Sequence, residues 1–176
     1  MNSDIEKIVS TAKAGGEVLK KYFGQSLNTV QKSNASDYRT KADLESETAI
    51  LDILETEFSD YNIFSEEKGE INKNSKFTFI VDPLDGTNNF VLGIPNFSVS
   101  IGLLKEDQII AGVIYSPIID NVYRAEKGQG AFCDNQKLQV STESDITKAT
   151  VCYTCSYETY FTEEVKAMNS LYKKDT

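Results

Sequence analysis

Apolar residues at Ile5, Ile8, Val9, Ala12, Leu19, Tyr22 and Phe23 recur at helical spacing, behind a capping box at Ser3-Asp4-Ile5-Glu6. That pattern predicts an amphipathic helix stopping at Gly24. Periodicity is lost from Leu27 to Arg39, where serine and asparagine predict a mobile loop. Thr40 with Asp43 offers a second capping pattern, opening a helix whose buried side is read as Ala49, Ile50, Ile53, Leu54 and Phe58. The period then switches to two. Tyr61 to Ser65 reads as a short strand, Ile71 to Lys76 as a polar connector, and Phe77 to Val81 as a strand buried on both faces. Pro83 removes a ladder donor, so this strand is expected to stop there. Two apolar runs, Asn96 to Lys105 and Gln108 to Ser116, flank Glu106-Asp107 as a hairpin. Asp120 to Arg124 and Ala131 to Val140, the latter broken at Asp134-Asn135, extend an antiparallel meander. Thr150 to Thr154 predicts another strand, and Phe161, Val165, Met168 and Tyr172 a last helix.

The expected class is α+β: two helices on an antiparallel sheet over residues 1–145, then the start of a further layer over 146–176. Composition is that of an ordinary globular protein, and no apolar stretch approaches the ~20 residues that span a bilayer. Met1-Asn2-Ser3-Asp4 has no basic region before an apolar core, so a cytoplasmic location is expected. A formal charge of -9 argues against a nucleic-acid partner, and any phosphate ligand would need bound cations to reverse the field. The chain has no histidine, which removes Ser-His-Asp and Cys-His catalysis and His-ligated zinc. Cys133, Cys152 and Cys155 make no disulfide framework. Cys152 and Cys155 would face opposite ways on a strand, so their spacing is not read as a metal site. Gly128-Gln129-Gly130 is no dinucleotide fingerprint, because Cys133 stands where a third glycine is needed.

Chemistry concentrates in Ile80-Val81-Asp82-Pro83-Leu84-Asp85-Gly86-Thr87-Asn88-Asn89-Phe90. A buried strand delivers Asp82 and Asp85, the Leu84 carbonyl and the Thr87 hydroxyl into one tight turn. Gly86 permits a positive φ or a close backbone approach. On spacing alone two readings stay open: a solvated turn, or an oxygen-rich site suited to Mg²⁺. An EF-hand is excluded, since position three would be Leu84 and position twelve Gly93. Asp43 in a first helical turn is explained by the helix dipole, and Glu66-Glu67 by solvation, unless their elements meet the turn.

Asp82 to Phe90 resembles the D-P-[IL]-D-G-T-x-N-F signature of the inositol monophosphatase family, and Ser65-Glu66-Glu67 resembles its [GS]-E-E element. The runs Gly128 to Cys133 and Gln136 to Ser141 are also similar. The resemblance implies a layered αβαβα sandwich whose C-terminal part, with a W-D-x-[AS]-[AS]-G motif and a further metal-ligating aspartate, is not in this chain. It implies Mg²⁺-dependent hydrolysis of a phosphate monoester, with inositol monophosphate or a similar polyol phosphate as substrate and a homodimer for the intact protein. Two or three Mg²⁺ ions would be held by Glu66, Asp82, Asp85 and the Leu84 carbonyl. Paired ions would clamp the attacking and leaving oxygens, while Thr87, Glu66 and Asp43 orient the attacking water. Asp85 and the backbone of Gly86 and Thr87 would meet the substrate. Lys32 falls where the family often has a lysine in a flexible segment. Fructose-bisphosphate or 3′-phosphonucleotide hydrolysis, and a non-catalytic fragment with weak metal binding, are the alternatives.

Overall fold

The computed structural model describes residues 2–25, 30–31, 38–150 and 166. Helix α1, Asn2–Tyr22, begins one residue ahead of Ser3, so the expected capping box lies inside its first turn. The helix ends as expected at Gly24, which takes a φ of 77°. Two short strands follow, β1 (Val30–Gln31) and β2 (Tyr38–Arg39), paired antiparallel where a loop is expected. Lys32 lies outside the described residues. Helix α2, Lys41–Glu57, starts on the predicted cap: the Thr40 hydroxyl accepts from the Asp43 amide, and the Asp43 carboxylate accepts from the Thr40 amide.

Among the described residues the main sheet has eight strands. In chain order they are β3 (Asn62–Ser65), β4 (Gly69–Ile71), β5 (Phe77–Asp85), β6 (Ser98–Lys105), β7 (Gln108–Ser116), β8 (Asn121–Glu126), β9 (Gly130–Cys133) and β10 (Gln136–Leu138). Their spatial order is β10-β9-β8-β7-β6-β5-β3-β4. From β5 to β10 the sheet is the expected antiparallel meander, and Glu106 closes the β6–β7 hairpin with a φ of 55°. The exception is β3, which pairs in parallel with β5, placing Ser65 opposite Val81. The sheet is therefore mixed rather than purely antiparallel.

Helices α1 and α2 cover one face of this sheet. Ile5, Ile8, Ala12 and Leu19 of α1 and Ile50, Leu51 and Leu54 of α2 share a core with Ile63, Phe79, Val81, Val99, Ile101, Val113 and Tyr115. Each large side chain buried this way contributes roughly 1.5–3 kcal/mol of transfer free energy. On α2 Leu51 is buried whereas Ala49 and Ile53 are only half-buried, a small rotation from the expected face. Gly16 lets α1 approach closely, since a Cβ there would stand 2.4 Å from the Tyr115 ring.

The opposite face differs from expectation. Phe64 and Ile80, neighbours in register across β3 and β5, are 53% and 44% exposed. Strand β5 is thus buried on one face only. It also runs past Pro83 to Asp85, because its register against β6 shifts between Asp82 and Asp85. A bulge is a position where a missing backbone donor is tolerated within a sheet.

The chain divides into two compact units, Met1–Gln139 and Val140–Thr176. The second contains a short 3₁₀ turn, Ile146–Lys148. The expected strand at Thr150 to Thr154 and the last helical pattern, with Cys152 and Cys155, lie outside the described residues save for Thr150 and a helical Lys166. Among the described residues no helix is long and apolar enough to cross a membrane.

Candidate active site

The bulged end of β5 and the end of β3 leave the sheet side by side. The Glu66 amide donates to the Val81 carbonyl at 3.1 Å, which sets Glu66 next to Asp82. The Leu84 amide caps Asp82 Oδ1 at 3.1 Å in an Asx-type turn. Burial, then the like charges of Glu66 and Asp85, push the Asp82 carboxyl up from 3.8 to about 7. The Glu66 side chain is within hydrogen-bonding range of Asp82. Asp85 sits on the exposed side of the bulge, where Ser98 Oγ donates to its Oδ2 at 3.2 Å. As placed, no three Asp, Glu, Cys or His side chains among the described residues converge closely enough to hold an ion. The contact with Ser98 holds one Asp85 oxygen against β6.

Gly86 follows with a φ of 89° and caps α3, Thr87–Val91. A Cβ here would stand 3.0 Å from the Asn96 carbonyl oxygen, so both the conformation and the space require glycine. Phe90 of α3 packs edge-on against Phe97, and Phe23 leans on both, with ring centroids 4.9 to 5.7 Å apart. This aromatic cluster fixes the turn from behind.

Thr87 Oγ1 lies 3.0 Å from the Leu84 carbonyl and 3.4 Å from Asp43 Oδ1, with one proton to donate. Asp43 is 2% exposed. Its Oδ2 accepts from the Thr40 amide at 2.8 Å and from Thr40 Oγ1 at 2.5 Å. Desolvation pushes the Asp43 carboxyl above its ordinary value, against the lowering effect of the Thr40 hydrogen bonds. Thr87 therefore joins Asp43 to the Leu84 carbonyl, while Asp82 stands between the charges of Glu66 and Asp85.

The donor set fits a hard cation. It holds carboxylate and carbonyl oxygens without nitrogen or sulfur, and its central carboxyl is raised by burial and then by the neighbouring negative charges.

Two contributors escape sequence reasoning. Ser46 Oγ donates to the Pro83 carbonyl at 2.9 Å and pins the turn to α2. Glu47, fully buried, accepts from Ser65 Oγ at 2.5 Å and from the Glu67 and Lys68 amides at 3.2 and 2.9 Å. The signal was positional: Asp43, Ser46 and Glu47 continue the stripe of Ile50 and Leu54 one and two turns earlier.

Residues 1–172 match the profile described as the inositol monophosphatase family. The chain belongs to that family. Relatives include the fructose-1,6-bisphosphatase/inositol-1-monophosphatase of Aquifex aeolicus, 33% identical over 85% of this chain and 59% of the relative. The inositol-1-monophosphatase of Mesorhizobium japonicum is 40% identical over 76% of this chain and 51% of its own length. Among solved structures, the extragenic suppressor protein suhB of Bartonella henselae superposes with a TM-score of 0.77 at 39% identity, covering 80% of this chain and 55% of that one. The fold is thus the inositol monophosphatase α+β sandwich, and the chain spans about half the length of the curated relatives it matches. The signature turn and the Ser65-Glu66-Glu67 element of this inositol monophosphatase family member are the parts that meet in space.

Proposed function

We propose that this chain carries the water-activating half of a Mg²⁺-dependent phosphatase acting on inositol monophosphate or a similar polyol phosphate. The observation that carries the reading is the juxtaposition of Glu66 and Asp82 at the ends of two parallel strands, with Thr87 and Asp43 beside them. In it Glu66, Asp82, Asp85 and the Leu84 carbonyl are the metal ligands, for two or three ions. Bound Mg²⁺ supplies the positive charge that offsets these carboxylates and the phosphate, and favours deprotonation of water. Asp85 would give up its contact with Ser98 to serve as a ligand. Thr87 Oγ1 orients the attacking water, and Asp43 Oδ1, raised by burial, takes the proton through it. The Gly86 and Thr87 amides at the start of α3 meet the phosphate.

The name of the Aquifex relative supports the wider substrate class of sugar and polyol phosphates. Residues 146–176 begin the second domain in this reading, the intact protein is a cytoplasmic homodimer, and the rest of the substrate surface belongs to the part of the relatives that this chain does not cover. The test compares phosphate release from inositol monophosphate by the 176-residue chain and by a version extended to the length of its relatives. Mg²⁺-dependent, lithium-inhibited turnover is expected from the longer protein and at most a trace from the shorter. Turnover by the longer protein that is indifferent to EDTA sinks the metal reading. Comparable turnover by the two shows a complete site in the short chain.

A further inference from the structure

Glu47 has no part in the ligand set, yet it is a carboxylate with none of its surface exposed. A buried carboxylate is costly unless hydrogen bonds compensate it. One oxygen, Oε1, receives three: from Ser65 Oγ, from the Glu67 amide and from the Lys68 amide. The donors lie immediately before and immediately after Glu66. The Glu66 amide is meanwhile held by the Val81 carbonyl. Every residue from Ser65 to Lys68 is thereby tied to α2 or to β5. Without Glu47, two adjacent amides of the β3–β4 turn would lack their charged acceptor, and the turn could rotate about the Glu66 to Val81 bond. One turn along the same helix face, Ile50 meets the core with an apolar side chain, so packing alone does not ask for a carboxylate.

We infer that Glu47 is a positioning residue, whose buried carboxylate holds the β3–β4 turn so that Glu66 faces Asp82 and a divalent cation can engage both. The inference rests on the metal reading of Glu66 and Asp82. It assigns Glu47 no contact with ion or substrate. Its role is to select one conformation of the turn, and the acceptor oxygen matters more than the charge.

The experiment is a Mg²⁺ titration of the 176-residue chain by calorimetry, with Glu67 and Lys68 amide exchange followed in the metal-free protein by NMR. Glu47→Ala should weaken Mg²⁺ binding at least tenfold and speed exchange of both amides. Glu47→Gln keeps an acceptor oxygen in place and should remain within about threefold in affinity, with the amides protected. If Glu47→Ala does not fold, Glu47→Asp replaces it: the charge stays, but one methylene is lost and the same tenfold loss is expected. A folded Glu47→Ala or Glu47→Asp that binds within threefold of the parent overturns the inference. So does Glu47→Gln falling as far as Glu47→Ala, which would make the role one of charge. Glu66→Gln is run alongside. If it leaves affinity unchanged, the metal reading fails, while the exchange data still report whether Glu47 orders the turn.

Discussion

Replacing Asp82 by asparagine should make the metal-free protein more stable at pH 8 while removing its response to Mg²⁺. In the folded chain burial and the charges of Glu66 and Asp85 raise the Asp82 carboxyl from 3.8 to about 7. Between those values the folded state keeps a proton that the unfolded chain has released. Stability therefore falls as pH rises through this window and levels off above it. At 1.36 kcal/mol per pH unit the full displacement corresponds to about 4 kcal/mol. Solvent screening of a half-buried group and sharing of the proton with Glu66 reduce this to about 2 kcal/mol. The side-chain oxygen of an asparagine can still accept from the Leu84 amide, so Asp82→Asn removes the charge and little else. For a chain of this size, melting in EDTA should occur about 4–8 °C higher for the variant at pH 8, and at the same temperature at pH 4. In Mg²⁺ at ten times its dissociation constant the parent gains about 1.4 kcal/mol. The variant, whose affinity is expected to fall more than tenfold, gains almost none. Equal melting of both proteins in EDTA at pH 8, or equal stabilisation of both by Mg²⁺, would refute the reasoning.

Other outcomes follow from the same geometry. In a protein extended to the length of its relatives, Thr87→Ala should lower kcat about 10²-fold or more with KM little changed, and Thr87→Ser should restore most of it. Asp43→Asn should lower kcat similarly and also cost about 1 kcal/mol in urea unfolding, because Asp43 completes the α2 capping box and Thr87 does not. Gly86→Ala should cost at least about 2 kcal/mol, from the positive φ and the Asn96 carbonyl 3.0 Å from the new Cβ; unfolding within about 0.5 kcal/mol of the parent would show a turn that yields freely.

The helices, the Thr40 cap, the β6–β7 hairpin and the signature turn were legible because each is encoded locally, by period, cap or turn residues. Three features were not. Pro83 reads as a strand end because a sequence does not announce a bulge, and the register shift that accommodates Pro83 exists only against β6. The parallel pairing of β3 with β5 depends on β4 folding back along the sheet edge, which no local pattern encodes. Ile80 reads as core because apolar character is visible in sequence, while the lack of a covering layer among the described residues of this unit is not. At the site Glu66, Asp82 and Thr87 announced themselves by motif. Ser46 and Glu47 did not, since a polar residue in a helix is ordinarily solvated. Their place on the Ile50–Leu54 stripe separates them from solvated neighbours such as Glu45 and Thr48.

The parallel pairing also has a kinetic meaning. Glu66 and Asp82 come together only where β3 and β5 pair, and the chain between them passes through β4 on the outer side of β3. A growing or half-assembled chain keeps the two carboxylates apart, so it offers no chelate that could trap a cation early. Affinity for an ion that needs both groups is linked to the β3–β5 pairing rather than to collapse. A cation that needs both groups therefore acts as a brake on unfolding and gives the chain no guidance while it folds.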